Sequence, residues 1–385
     1  LLQYLGTTQK VGIERLKTVD NYTDKQYMHL SAVTRANLEL TQTMRGKDKK
    51  GTLLWVLDKT QTAMGKRLIR SFIEQPLVQP VLINQRLSAV EEMYKNALVR
   101  GEVTEILSKI FDIERLLTRV VYGNANPREV YALAVTIEKL PCLKEILNKL
   151  DNTQWQDISN RIDLLQDVKM EILNAINPDS PISLKEGGVI LSGFSAEVDE
   201  LRDIVHGGKD YLAQLETKLK AETGISKLKI GYNRVFGYYI EVTQAYLSQV
   251  PETFIRKQTL ANAERYITEE LKQLESKILG ANERLVILER DLFETLLTEI
   301  SKNATRIQSC AVALAQADVF TGLAQVAVKN NYVKPTVNNS NNIYIKEGRH
   351  PVIEKMLNSS LFVPNDTCLD CDKNKMLIIT GPNMA

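Results

Sequence analysis

Apolar positions recur at intervals of three and four through most of residues 23–184, as in Ile106, Ile110, Ile113, Leu116, Leu117 and Val120. That spacing keeps one face of an α-helix apolar and predicts a bundle of amphipathic helices, broken near Pro76, Pro80, Pro127, Pro141, Pro178 and Pro181. A further helix is predicted from Phe194 to about Glu222, ended by Gly224. After Pro251 the helical pattern returns and runs without proline from Glu252 to Lys334. Within it Leu271, Leu274, Ile278, Ala281, Leu285, Leu288 and Leu292 follow a three-four heptad seam. Read as one helix from Gln258 to Ser309, this stretch would extend about 75–80 Å by the helical rise. Such a helix is a strut, and the 194–222 helix is its expected antiparallel partner.

Between the two struts the period changes from helical to alternating. Residues 227–232 and 238–243 alternate, are rich in tyrosine and β-branched residues, and predict two strands joined by Asn233 to Gly237. Near the C-terminal end, Ile343-Tyr344-Ile345 reads as a strand, Gly348 to Pro351 as a turn and Phe362 to Asp366 as a loop. Met376 to Thr380 reads as a buried strand, followed by Gly381-Pro382-Asn383-Met384-Ala385.

The composition, 44% hydrophobic and 25% charged over 385 residues, is that of a globular chain of two or three domains. No continuous run approaches about 18 apolar residues, so no membrane span is expected. Four cysteines, Cys142, Cys310, Cys368 and Cys371, are too few for a disulfide framework and point to a reducing cytoplasm. The start at Leu1 without Met or a signal-peptide pattern reads as a piece of a longer protein. Net charge is only +2, but its placement matters more than its sum. Residues 224–266 carry six cationic side chains against three acidic ones, with seven of the 24 aromatics. That suits contact with phosphates irrespective of sequence, or else a small aromatic core with solvated charges.

The other candidates are weaker. Arg45-Gly46-Lys47-Asp48-Lys49-Lys50-Gly51 is either a phosphate-contacting loop or a solvated turn. Cys368-Leu369-Asp370-Cys371 has zinc-knuckle spacing, yet with His350 it remains one ligand short. The three histidines form no visible triad, and no paired-carboxylate motif stands out. The apolar strand running into Gly381 is how a phosphate-binding loop begins, or an ordinary turn.

With these motifs in their order and spacing, the chain resembles the MutS family of ATP-driven DNA mismatch-recognition proteins. The resemblance rests on residues 34–40, 52–58 and 64–77 for the core. It rests on Gly237 to Ile240 and Asn262 to Ile267 for the DNA clamp, and on Glu347 to Pro351 and Thr380 to Met384 for the ATPase domain. It implies a mainly α fold: a helical core with two long lever helices carrying a small β-rich clamp, plus the first strands of a truncated α/β P-loop ATPase domain. The expected organisation is the end of a connector domain over 1–20, core and first lever over 21–209 and clamp over 210–270. A second lever returning to the core would cover 271–335, and the start of the ATPase domain 336–385.

By the same resemblance Asn233, Asn262 and Arg265 would contact DNA phosphates, with Arg256 and Lys257 added on charge alone. Phe362 and Val363 would contact the adenine of ATP, and Gly381, Pro382, Asn383 and Met384 would open its phosphate loop. No metal or catalytic residue is expected in this chain. The Walker lysine and the Mg²⁺-binding residues would follow Ala385, so ATP with Mg²⁺ and hydrolysis are expected of the full-length parent rather than of this segment. The implied partners are double-stranded DNA, a second copy of the parent and a MutL-type repair protein. A bacterial, nucleoid-associated cytoplasmic location is implied as well. Two other readings stay open: a coiled-coil scaffold that binds partner helices through the 271–292 seam, and a P-loop NTPase with a helical insertion.

Overall fold

The computed structural model describes residues 26–233, 237–357, 362–378 and 381. Fourteen α-helices follow in order among these residues: α1 Ala32–Asn37, α2 Leu53–Leu57, α3 Ala63–Glu74, α4 Pro80–Lys95, α5 Ala97–Leu107, α6 Ile113–Val121, α7 Pro127–Ile137, α8 Leu140–Leu147, α9 Thr153–Arg161, α10 Gln166–Ala175, α11 Ala196–Thr223, α12 Glu269–Lys302, α13 Ala304–Asn330 and α14 Pro351–Met356. Strands β1 Lys229–Asn233, β2 Gly237–Thr243, β3 Ile255–Thr259 and β4 Ala263–Ile267 lie between α11 and α12, and β5 Ile343–Gly348 and β6 Asn365–Leu369 flank α14. The fold is mainly α, as the periodicity predicted.

Helix starts follow local chemistry. Ser31, Thr52, Thr62, Asp112 and Thr268 each cap a helix by accepting a backbone N–H with the side chain. Asn126 and Glu129 form a reciprocal capping box around Pro127 at the start of α7.

The chain divides into two compact units. One takes in the described residues of Leu1–Ile110, Cys142–Ile162 and Ala311–Ala385. Its core is built on α13, whose Ala313, Leu314, Ala317, Val319, Phe320 and Ala324 are all buried. By length and composition α13 is apolar enough to cross a membrane, yet 67% of its most apolar window is buried inside the folded chain. It is a core helix, with no exposed position from residue 313 to residue 327. Trp155 is fully buried, donates from Nε1 to the Ala89 carbonyl at 2.9 Å, and meets Phe320 edge-on at 5.9 Å.

One charged residue of this helix, Asp318, is buried. Asp318 is 1% exposed and accepts from the Gln61 N–H, from the Thr62 N–H at 2.7 Å and from the Thr62 hydroxyl at 2.6 Å. It therefore closes the N-terminus of α3, where orphan N–H groups favour an anion. Gly65 lies beneath it, and a Cβ there would fall 2.2 Å from the carboxylate. Burial pushes the Asp318 carboxyl above the usual range, although its hydrogen bonds pull the other way.

The other unit takes in Phe111–Pro141 and Asp163–Cys310. Here α11 and α12 pair antiparallel: Glu197 meets Arg284, Gly208 lies under Ile278, and Tyr211 and Lys218 both reach Glu270. With 28 and 34 residues they extend about 42 and 51 Å. Gly224 ends α11 in the left-handed conformation at φ 71°, as predicted. The single helix expected from Gln258 to Ser309 is not formed. Residues 255–259 and 263–267 are strands, and Asn303 separates α12 from α13.

The heptad seam is also corrected beyond Leu285. Leu271, Ile278, Ala281 and Leu285 are buried, but Leu288 and Leu292 are only half-buried, and the stripe continues through Glu289, Phe293, Leu296 and Ile300. A straight helix drifts from a seven-residue repeat, and here the neighbour changes from α11 to α6, α10 and the turn Leu184–Glu186. From Leu271 to Leu285 the seam packs largely against the chain itself, rather than standing open to partner helices as a scaffold would require.

Glu289 is fully buried in this stripe. It accepts from the Gly188 N–H at 2.7 Å and from Arg202 Nη2 at 2.9 Å. Arg202 also reaches Ser192, Asp199 and the Ile190 carbonyl, so the 188–192 loop, α11 and α12 share one hydrogen-bonded node.

The C-terminal segment departs from expectation. Phe362 to Pro364 is loop, but Asn365 already opens β6, which pairs antiparallel with β5. Met376 and Ile378 are 78% and 84% exposed and form no strand. An apolar strand needs ladder partners and a covering layer, and among the described residues β5 and β6 pair only with each other. Residues 379, 380 and 382–385, and the expected connector segment 1–20, lie outside the described residues.

Candidate functional site

The basic, aromatic region becomes a four-stranded antiparallel sheet of order β1-β2-β4-β3 at the paired ends of α11 and α12. Strand alternation sorts its residues onto two faces. Ile240, Val242 and Tyr266 point inward and, with Ile225, Leu228, Phe254 and Ile267, form a core together with Leu212, Leu215 and Leu219 of α11 and Leu271 and Ile278 of α12. Tyr238 and Tyr246 pack against it. Most of the described aromatics of this region are therefore structural. Tyr232 is 51% exposed and leans on Tyr238 at 5.0 Å, and Phe236 lies outside the described residues.

Two carboxylates fasten the sheet to the helices. Glu216 of α11 accepts the Ile230 N–H at 2.9 Å, and Glu275 of α12 accepts the Tyr238 N–H at 3.0 Å. Gly237 has φ 72°, and a Cβ there would collide with the Glu275 carboxylate. That turn accepts only glycine.

The opposite face carries a connected polar set. Registers place Gly231 beside Tyr239, Glu241 beside Arg265 and Gln258 beside Arg265. The Tyr239 ring lies over Gly231, where a Cβ would meet the ring at 2.8 Å. The Arg265 guanidinium sits 4.0 Å from the Tyr239 ring centre. Its Nε donates to Glu241 Oε2 at 3.0 Å and its Nη1 to Gln258 Oε1 at 3.1 Å. Its side chain is only 17% exposed, whereas that of Glu241 is 36% exposed.

The five expected DNA-contacting residues do not form one cluster. Asn233 closes the β1–β2 hairpin opposite Gly237, on the face of Arg265 by register. Arg256 pairs with Tyr266 and so lies on the other face, exposed at the edge, 3.4 Å from Glu264. Lys257 sits in the register shift of β3 and is exposed. Asn262 is exposed in the β3–β4 turn, and its carbonyl accepts the Gln244 N–H at 3.1 Å. Sequence reasoning missed Glu241, Gln258 and Tyr239 around Arg265. Alternation along 238–243 put Tyr239 and Glu241 on one face, but only the β2–β4 pairing brings Arg265 to them.

For the expected nucleotide site, Phe362 is half-buried and Val363 74% exposed in the coil leading to β6. Gly381 is exposed, and Pro382, Asn383 and Met384 lie outside the described residues. Among the described residues no three His, Cys, Asp or Glu side chains gather as metal ligands.

The model of MutS domain III matches residues 33–324. The chain is 50% identical over all 385 residues to the DNA mismatch repair protein MutS of Ruminiclostridium cellulolyticum and covers 44% of that protein. It is 49% identical to that of Acetivibrio thermocellus, again covering 44%, and 48% identical to that of Lachnoclostridium phytofermentans, covering 41%. The chain thus spans less than half the length of these curated relatives. A domain model matched over most of the chain, together with full-length identity near one half, makes it a member of the MutS family.

Proposed function

We propose that this chain is the core, lever and clamp region of a DNA mismatch repair protein, and that its four-stranded sheet grips the duplex backbone without reading its sequence. The observation that supports this most is the placement of the charge. Arg256 and Lys257 are exposed on the edge strand β3 and Arg265 on the outer face of a sheet held by two long helices. Cations on a sheet fastened at its base can meet phosphates, and phosphates carry position rather than sequence. Asn233 and Asn262 at the two hairpin turns would add neutral donors to the same backbone.

The long helices would couple the clamp to a nucleotide site in which Phe362 and Val363 face the adenine and Gly381 to Met384 cradle phosphate. ATP with Mg²⁺, a second copy of the parent and a MutL-type partner belong to this reading. So does a place in the bacterial cytoplasm at the nucleoid. Hydrolysis would be a property of the parent rather than of the residues described here.

The test is binding of a fluorescent homoduplex over a range of potassium chloride concentrations. Affinity should fall with salt, and Arg265→Ala and Lys257→Ala should each reduce the log–log slope by roughly one. Affinity indifferent to salt would overturn the clamp assignment.

A further inference from the structure

Arg265 is the cation of the outer face with the most defined surroundings, and what surrounds it resembles a phosphate. The Glu241 carboxylate takes its Nε at 3.0 Å, the Gln258 amide oxygen takes its Nη1 at 3.1 Å, and the Tyr239 ring supports the plane from one side. Tyr239 is itself set by Gly231, whose lack of a side chain lets the ring lie flat on β1. The guanidinium is thus held in one orientation, with its charge already matched by an oxyanion more exposed than itself.

We propose that Glu241 is a resident competitor for phosphate at Arg265. The carboxylate occupies the guanidinium while DNA is absent, and a backbone phosphate must displace it to bind. The ligand class is a phosphodiester oxygen, chemically the closest substitute for a carboxylate at a guanidinium. The consequence is selective. A polyanion that presents several phosphates at once can meet the cost of displacement through its other contacts, while a single free phosphate cannot. The device raises the threshold for chance contacts and leaves Arg265 pre-oriented by Tyr239 when the exchange occurs. This rests on Arg265 contacting DNA, as proposed above.

Binding of a fluorescent homoduplex to the full chain separates the two. Glu241→Gln removes the charge and keeps the shape, and it should tighten binding about fivefold, the worth of a partly exposed ion pair. Glu241→Asp shortens the reach at constant charge and should tighten binding about twofold by the same reasoning. Both gains should vanish in an Arg265→Ala background, since a double-mutant cycle isolates the pair. Glu252→Gln, an exposed carboxylate of the same region, should have little effect.

A gain that persists without Arg265, or that Glu252→Gln reproduces, overturns the competition and leaves only bulk charge. Weaker binding by Glu241→Gln and Glu241→Asp, with unchanged melting curves, overturns it in favour of a brace that Arg265 needs. If Arg265→Ala alone leaves binding and its salt slope unchanged, the phosphate role of Arg265 falls and this proposal with it.

Discussion

Among the described residues each unit buries one carboxylate completely, and the two solve that problem differently. Asp318 lies in the buried stretch of α13 and, among the described residues, is held by uncharged donors at the start of α3. Glu289 lies in α12, a one-sided helix, where Arg202 reaches in from a position 19% exposed. At Asp318 the N-terminus of α3 supplies the compensation in place of a cation. A helix with one face near solvent can recruit arginine. The difference is one of compensating partner, and it predicts different sensitivities.

The largest effect is expected at the ion pair. Glu289→Ala strands two loop N–H groups and removes the buried partner of Arg202, which keeps Asp199, and should cost about 3–5 kcal/mol in denaturant unfolding. Asp318→Ala strands two N–H groups and a hydroxyl but no cation, and should cost about 2–3 kcal/mol. If Asp318→Ala proved the more damaging, the contrast between cationic and neutral compensation would be wrong.

Acid sharpens the contrast. Burial raises the Asp318 carboxyl above its unfolded value, so the folded state takes up the proton first. Its contribution therefore becomes more favourable as pH falls through the folded value, and is complete below the unfolded one. Hydrogen bonds from Arg306 hold Asp163 and Asp167 below theirs. Their contribution is present above the unfolded value and is lost as pH falls through the folded one. Unfolding free energies of wild type and Asp318→Asn, measured between neutral pH and the acid edge, should diverge in favour of wild type. Asp163→Asn should show the opposite trend.

Two glycines of the helix pair give the smaller effects. A Cβ on Gly208 would lie 2.4 Å from Ile278 Cγ1, so Gly208→Ala should cost about 1–3 kcal/mol and separate α11 from α12. Gly280, on the same pair, has nothing within 4 Å of its added Cβ. Gly280→Ala should instead stabilise by about 0.5–1 kcal/mol through helix propensity alone.

Much of this architecture was legible in the chain. The three-four spacing located the helices, Gly224 marked the end of α11, and alternation located β1 and β2. Strands β3 and β4 were read as helix for a physical reason. The buried residues of β4 are Ala263, Tyr266 and Ile267, spaced three and four apart, which imitates a helical stripe. In β3 the exposed Ile255, Arg256 and Lys257 hide the alternation. The buried ends of the stripe were illegible because a glutamate, Glu289, occupies a core position. No local pattern announces that Arg202 and the 188–189 amides will reach it. For the candidate site, the cations were visible as residues, but the partners of Arg265 come from β2 and β3 and only pairing reveals them.

The sheet region enters and leaves through the adjacent ends of α11 and α12, where Lys218 and Glu270 lie 3.4 Å apart. By connectivity it looks like a module that could be removed or grafted. Its thermodynamics say otherwise. Of the twelve buried residues in its core, Leu212, Leu215, Leu219, Leu271 and Ile278 belong to the helices. Strands excised from them would lose much of their apolar cover, and helices freed of the strands would expose three leucines along one face. The tips of α11 and α12 and the four-stranded sheet should therefore open as one cooperative unit in hydrogen exchange. A substitution that loosens the helix tips would then be felt at the sheet, without touching Arg256, Lys257 or Arg265.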